Sequence, residues 1–125
     1  MKIITATEVP KPMHNEASGA VIYTMIGKHY DEAGVADNHM VHLHVLPKCG
    51  WSRPHYHKVT EETYYIISGQ ARMIVDGKEI TVSAGQAILL MPNEVHQYCN
   101  DQDTDLEFLV ISSPPASADD HHYDV

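Results

Sequence analysis

The chain has 125 residues, a length that suits one compact domain and is too short for two. Hydrophobic residues make up 43 %, enough for a real core, yet no apolar run approaches the roughly 18 residues of a membrane helix. The formal charge of −9, with no basic stripe to neutralise phosphates, excludes nucleic acid as an expected partner.

The first segment, MKIITATEVPKP, has neither the basic start nor the apolar stretch of a signal peptide, so a cytoplasmic location is the default expectation. Residues 1–18 carry Pro10 and Pro12 and little periodicity, and read as an N-terminal arm. From there the pattern is β. Strand-like runs follow at VIYTMI (21–26), MVHLHVL (40–46), TYYII (63–67), ARMIV (71–75), EITV (79–82), AILLM (87–91) and LEFLVIS (106–112). They are rich in Val, Ile and Tyr and are punctuated by Gly, Pro, Asn and Asp. Asp76-Gly77 predicts a two-residue hairpin, because a tight primed turn needs positive φ. Short strands joined by tight turns indicate a sandwich or barrel over residues 19–112. From Ser113 the chain reads SPPASADDHHYDV, poor in large apolar groups, and residues 113–125 are expected to form a loose tail with His121 and His122 in solvent.

Within the β region the residues that carry chemistry are His55 and His57 in RPHYHKVTEE, Glu62 just beyond, and His96 in PNEVHQYCN. His-x-His in an extended strand turns both rings to one face, because side chains alternate with period two. Three neutral imidazoles and one carboxylate suit a borderline divalent metal, and leave two places for water, oxygen or substrate on an ion that prefers six ligands. Glu61 competes with Glu62 for the carboxylate role. Counted back from a turn at Gly69, Glu62 shares the face of Tyr64 and Ile66, and Glu61 faces away unless the strand start is bulged. Tyr64, on Glu62's face, is a candidate general base, since a nearby cation lowers a phenol's pKa, but packing alone also explains an aromatic there.

His96 sets an inward parity that includes Tyr98 and Asn100, and LEFLVIS sends Phe108, Val110 and Ser112 inward. Tyr98, Phe108 and Val110 therefore read as a pocket wall. His42 and His44 form a second His-x-His, opposite in parity to Val41, Leu43 and Val45, and are candidates for pocket lining or substrate contact. Arg53 shares His55's parity and could take an acidic group of a substrate. Cys49 and Cys99 belong to no paired motif and read as small thiols.

These motifs resemble those of the cupins. The first cupin motif, a glycine, His-x-His, a glutamate and a second glycine, is filled by Gly50, His55, His57, Glu62 and Gly69. The second is filled by Gly85, Pro92, His96 and Asn100, and 15 residues separate Gly69 from Gly85. The resemblance spans residues 38 to 112. One residue fewer than usual stands between Gly50 and His55. Pro92-Asn93-Glu94-Val95-His96 lacks the glycine of the usual Pro-x-Gly-x-x-His turn.

The resemblance implies an all-β, cupin-type jelly-roll β-barrel (a double-stranded β-helix) of a small single-domain protein. It also implies a homodimer built on edge strands and one divalent metal per chain (Fe, Mn, Ni or Zn) on His55, His57, Glu62 and His96. A metal-dependent enzyme acting on a small molecule follows, of dioxygenase, isomerase, decarboxylase or lyase class. The alternative is a cupin that binds or senses a small ligand without converting it. The pattern that includes Tyr64 also resembles the family's dimethylsulfoniopropionate lyases, in which a tyrosine acts as base.

Overall fold

The computed structural model describes residues 1–27 and 34–124; Val125, the last residue of the expected tail, lies outside them. Eleven strands are described. They are β1 (Met13–His14), β2 (Val21–Ile26), β3 (Met40–Leu46), β4 (His55–Tyr56), β5 (Glu61–Ser68), β6 (Gln70–Val75), β7 (Lys78–Ser83), β8 (Ala87–Leu90), β9 (His96–Cys99), β10 (Leu106–Ser113) and β11 (His122–Tyr123). Short 3₁₀ turns occupy Ala6–Glu8 and Ala118–Asp120. The strands form two sheets, in the orders β1-β2-β3-β10-β5-β8 and β11-β4-β9-β6-β7, with neighbouring strands paired antiparallel. This is the jelly roll that the motifs imply.

The long runs become strands because their alternation puts one face inward. On β3, Met40, His42, His44 and Leu46 are buried while Val41, Leu43 and Val45 are half-buried on the other face. The pairing of β10 with β3 and β5 stacks these side chains in layers. Leu106 lies opposite Leu46, Phe108 opposite His44 and Ile66, Val110 opposite His42 and Tyr64, and Ser112 opposite Met40 and Glu62. Layers two residues apart are separated by about 7 Å of strand rise. The barrel thus grades from an apolar end at Leu46 and Leu106 to a polar end at Ser112 and Glu62. The apolar end is closed by Ile66, Met73 and Phe108, each no more than 1 % exposed.

Turn chemistry fixes the register. Asp76 (φ 48°) and Gly77 (φ 82°) both take positive φ, the primed turn expected between β6 and β7. Asn93 (φ 70°) supplies the left-handed residue of the turn before β9, three positions before His96, where the usual Pro-x-Gly-x-x-His motif has its glycine. Its N–H donates to the His57 carbonyl at 2.7 Å, so the turn is tied to the strand that bears two of the candidate ligands. Gly50 is needed for close approach, since a Cβ there would lie 2.5 Å from Leu46 Cδ1 and 2.7 Å from the Ser18 carbonyl.

Asn100 is the main polar tie of the core. Its Nδ2 donates to the carbonyls of Leu46 (3.0 Å) and Thr104 (2.9 Å), its Oδ1 accepts from Gln102 N–H (3.0 Å), and it is 1 % exposed. Asn100→Ala leaves these buried groups unpaired and is expected to cost about 3 kcal/mol of stability. The shift of the denaturant midpoint measures it, and a change under about 0.5 kcal/mol would show that the tie is not structural.

Residues 113–125, expected to be loose, are corrected by the structure. The described part returns to the site: β11 pairs with β4, and Asp124 N–H donates to Pro54 O at 3.1 Å. The Asp120 carboxylate accepts the N–H groups of Lys58 (2.7 Å), Val59 (3.1 Å) and Thr60 (3.1 Å). A hydropathy pattern does not show this, because the tail is held by hydrogen bonds and ring contacts rather than by apolar burial. The arm is also tied in part: β1 pairs with β2, and Val9 and Ser18 are buried.

Candidate metal centre

The polar end of the barrel gathers His55 from β4, His57 just after it, Glu62 from β5 and His96 from β9. One ligand atom from each lies within 4.8 Å of all the others, and all four residues are buried. Glu61, by contrast, is exposed, so strand parity assigns the carboxylate role to Glu62.

The orientation of each ring is set from behind. His55 Nδ1 bonds the Arg53 carbonyl at 2.7 Å, His57 Nδ1 the Asp120 carbonyl at 2.7 Å, and His96 Nδ1 the Glu94 carbonyl at 2.9 Å. A carbonyl only accepts, so in each ring Nδ1 carries the proton and Nε2 presents its lone pair to the centre. This is the arrangement by which second partners aim metal-binding imidazoles. Ser112 Oγ donates to Glu62 Oε2 at 3.1 Å, which leaves Oε1 for the centre.

Oε1 lies 3.0 Å from His57 Nε2 and 3.4 Å from His96 Nε2. Even so, Glu62 Oε1 and His96 Nε2 have no hydrogen-bond partner. Buried polar atoms that converge but are not bonded to one another are costly unless something binds between them. The donor set, three nitrogens and one oxygen, fits a borderline divalent cation. The residues present therefore fit a metal ion.

Electrostatics follow from burial. Burial is the largest influence on Glu62 and opposes its charge, yet the His57 and His96 rings beside it outweigh that effect and hold the carboxyl well below its usual range. For His57 burial again opposes charge, but Glu62 and the Asp120 carbonyl outweigh it and raise its pKa. Burial lowers His55 to about 3, with His96 adding to the effect. Tyr64 is 3 % exposed, and burial followed by the Glu62 charge pushes its phenol well above its ordinary value.

The centre opens on a cavity of about 800 Å³. His42, His44, Tyr64, Tyr98 and Val110 line it, and Arg53 stands at its edge with its guanidinium 3.8 Å over the Tyr123 ring. Phe108, expected as wall, does not line it. It sits 1 % exposed beneath, with its ring 4.9 Å from His44 and 5.3 Å from both Tyr64 and Tyr98. Strand parity gives the inward direction but not what covers the side chain: Phe108 stands level with His44, and the rings of His44, Tyr64 and Tyr98 lie against it.

His121 was expected in solvent with His122. Its ring instead stacks on His55, with centroids 4.8 Å apart and planes 6° from parallel, while its outer side stays exposed. His122 is half-buried and stacks on Tyr56 at 5.2 Å. The sequence signal for this was slight: an aspartate and two histidines inside a polar tail. Cys49 and Cys99 are both free thiols outside the cluster.

His42 and His44 are buried and uncharged at neutral pH. Burial, partly offset by Glu62, lowers His42 to about 4; burial and then His42 lower His44 to about 3, again against Glu62. An unfolded histidine titrates near 6.5. Below that pH the unfolded chain binds protons that these two folded rings refuse, so stability falls as pH falls from about 6.5 towards 4. The limit is about 1.4 kcal/mol per pH unit for each ring. His57, raised in the fold, works in the opposite direction. The metal-free protein is expected to lose Tm between pH 7 and pH 5, and His44→Gln to lose less. Parallel losses would mean that His44 does not resist protonation.

A cupin-domain family model matches residues 41–112. The chain belongs to the cupin family. It is 35 % identical over 66 residues to an uncharacterised protein of Methanocaldococcus jannaschii, covering 53 % of each chain. It is 41 % identical over 44 residues to quercetin 2,3-dioxygenase of Bacillus subtilis, covering 35 % of this chain and 13 % of that one. The chain thus spans about half of the first relative and a small part of the second. Among solved structures it is similar to the polyketide cyclase RemF of Streptomyces resistomycificus. There the TM-score is 0.81 at 20 % identity, over 100 % of this chain and 86 % of that one, a likeness of fold.

Proposed function

We propose that this cupin is a metal-dependent enzyme that converts a small oxygenated, anionic molecule. The observation that carries this reading is the set of three Nε2 atoms and Glu62 Oε1, aimed from behind at one point and unpaired there in part. A divalent ion held by His55, His57, Glu62 and His96 would supply Lewis acidity or a place for oxygen to react. Iron, manganese, nickel and zinc all suit this donor set, and dioxygenase, isomerase, decarboxylase and lyase chemistry are all compatible with it.

The chain's own residues select the substrate. Among the described residues that line the cavity, Glu62 and Arg53 are the carboxylate and the guanidinium. With Glu62 committed to the ion, the remaining field favours an anion, although the whole chain is strongly acidic. Arg53, at the mouth, would draw the anion in, and Tyr98 and Val110 would pack against the carbon skeleton. Tyr64, held dry beside Glu62, would donate a hydrogen bond to substrate or exchange a proton with it.

A homodimer is part of the same proposal. The outer face of the six-stranded sheet exposes Tyr65, Ile67, Leu89 and Ile111, at 41, 45, 58 and 37 %, an apolar surface that suits a second copy.

Elemental analysis of the purified protein is expected to find about one transition metal per chain. Adding that metal to the stripped protein is expected to raise Tm, by the equivalent of about 2.7 kcal/mol at a hundredfold excess over Kd. Sub-stoichiometric metal with no thermal shift would overturn the metal centre. Full metal content with no turnover of any small carboxylate or hydroxy acid, with or without oxygen, would favour the binding or sensing alternative.

A further inference from the structure

The metal centre occupies only the polar end of the cavity. Two layers along the barrel from Glu62, in the direction of the apolar end, stands His44, with His42 at the level between them. Both rings line the same cavity as the centre. Thr24 Oγ1 holds His42 Nδ1 at 2.8 Å, both groups being buried. The His44 ring meets His42 edge-on at 5.8 Å and lies tilted on Phe108 at 4.9 Å. His44 is 9 % exposed, and its Nδ1 has no hydrogen-bond partner among the described residues. Tyr98 bridges the two ends, with its ring centroid 6.3 Å from His44 and 6.5 Å from His55.

A purely structural role explains His44 poorly. Its layer neighbours on β5 and β10 are Ile66 and Phe108, and an apolar side chain at position 44 would pack between them without leaving a buried nitrogen unpaired. The fold carries hydrogen-bonding capacity at this level that it does not use.

We propose that His42 and His44 form a second binding pole, which takes uncharged hydroxyl or carbonyl groups at the far end of a substrate whose acidic end lies at the metal centre. The substrate class is then a hydroxylated carboxylic acid longer than a two-carbon acid, of sugar-acid size and polarity. Only the placement of the acidic end rests on the proposed metal centre; the polar pole stands on its own geometry. Neutral imidazoles suit this work, because an imidazole nitrogen donates or accepts according to the tautomer, and neither ring attracts a competing anion to the inner end. Burial keeps both rings in that form at physiological pH.

The test compares gluconate with 2-hydroxyhexanoate, which share a 2-hydroxy acid head and chain length and differ in the remaining hydroxyls. Titration calorimetry is run on zinc-loaded and on zinc-free protein, with zinc content measured in parallel. Gluconate is expected to bind at least about tenfold more tightly, which is the effect of one or two net hydrogen bonds. His44→Phe is expected to remove the preference with zinc content unchanged, and the double variant His42→Gln, His44→Gln to restore part of it. Gluconate is also expected to shift the His44 ring nitrogens in ¹⁵N spectra of histidine-labelled protein. Equal binding of the two acids, binding of neither in both forms, or a preference that survives His44→Phe would overturn the pole. If His44→Phe does not fold, the double variant and the ¹⁵N shift decide. A protein that takes up no zinc would sink the metal centre instead, and the preference and the ¹⁵N shift would still be read in the zinc-free form.

Discussion

His96→Ala is expected to reduce metal affinity by more than a hundredfold and to abolish metal-dependent turnover. Loss of a group that merely orients a ligand typically costs 10- to 100-fold, so loss of a ligand should cost more. His96 is 1 % exposed and shares its centre with three side chains brought from β4, the loop after it and β5, so its loss removes one of four converging ligand atoms. Competition with a chromophoric chelator measures the affinity, and exposed His14→Ala serves as a control. Wild-type affinity in His96→Ala would remove His96 from the ligand set. A companion variant separates function from folding. In the metal-free protein His96 Nε2 is buried without a partner, so His96→Leu is expected to bind no metal yet melt no lower than the metal-free parent. A large loss of Tm in His96→Leu would mean that the imidazole serves the barrel rather than an ion.

Asp120→Ala is expected to weaken metal binding by 10- to 100-fold although Asp120 is no ligand. Its carboxylate gathers three consecutive N–H groups, of Lys58, Val59 and Thr60, and its carbonyl aims His57. Those donors hold its pKa below the usual carboxylate value against the effect of burial, so the anchor is ionised at neutral pH. Without the side chain the tail loses its hold on the loop, and the carbonyl behind His57 is no longer fixed. The same chelator competition reads the affinity, and neighbouring exposed Asp119→Ala should leave it unchanged. Equal affinities in Asp120→Ala and the parent would show that His57 orients itself.

How much of this the sequence carries depends on how local the cause is. The inward faces of β3, β5 and β10 are legible because alternation is a property of each strand alone, and the four candidate ligands are legible because their spacing and strand parity put them on inner faces. Phe108 reads as pocket wall because parity gives the inward direction and not which neighbouring rings cover it. The two-residue strands β1, β4 and β11 leave no pattern, since they exist only through pairing with distant partners. The tail was misread for the same reason. Asp120 and His57 are 63 positions apart, and nothing in a polar stretch announces that it closes over a cavity.

The three ring-aiming contacts are not alike. His55 and His96 each bond a carbonyl two positions earlier in the chain, on Arg53 and Glu94, whereas His57 borrows its carbonyl from the far terminus. Two of the ligands therefore carry their own aiming device inside a tripeptide, and could keep it through wholesale exchange of the surrounding loops. The third is governed by a detachable segment, so divergence confined to the last dozen residues could retune one imidazole while the other two stay fixed.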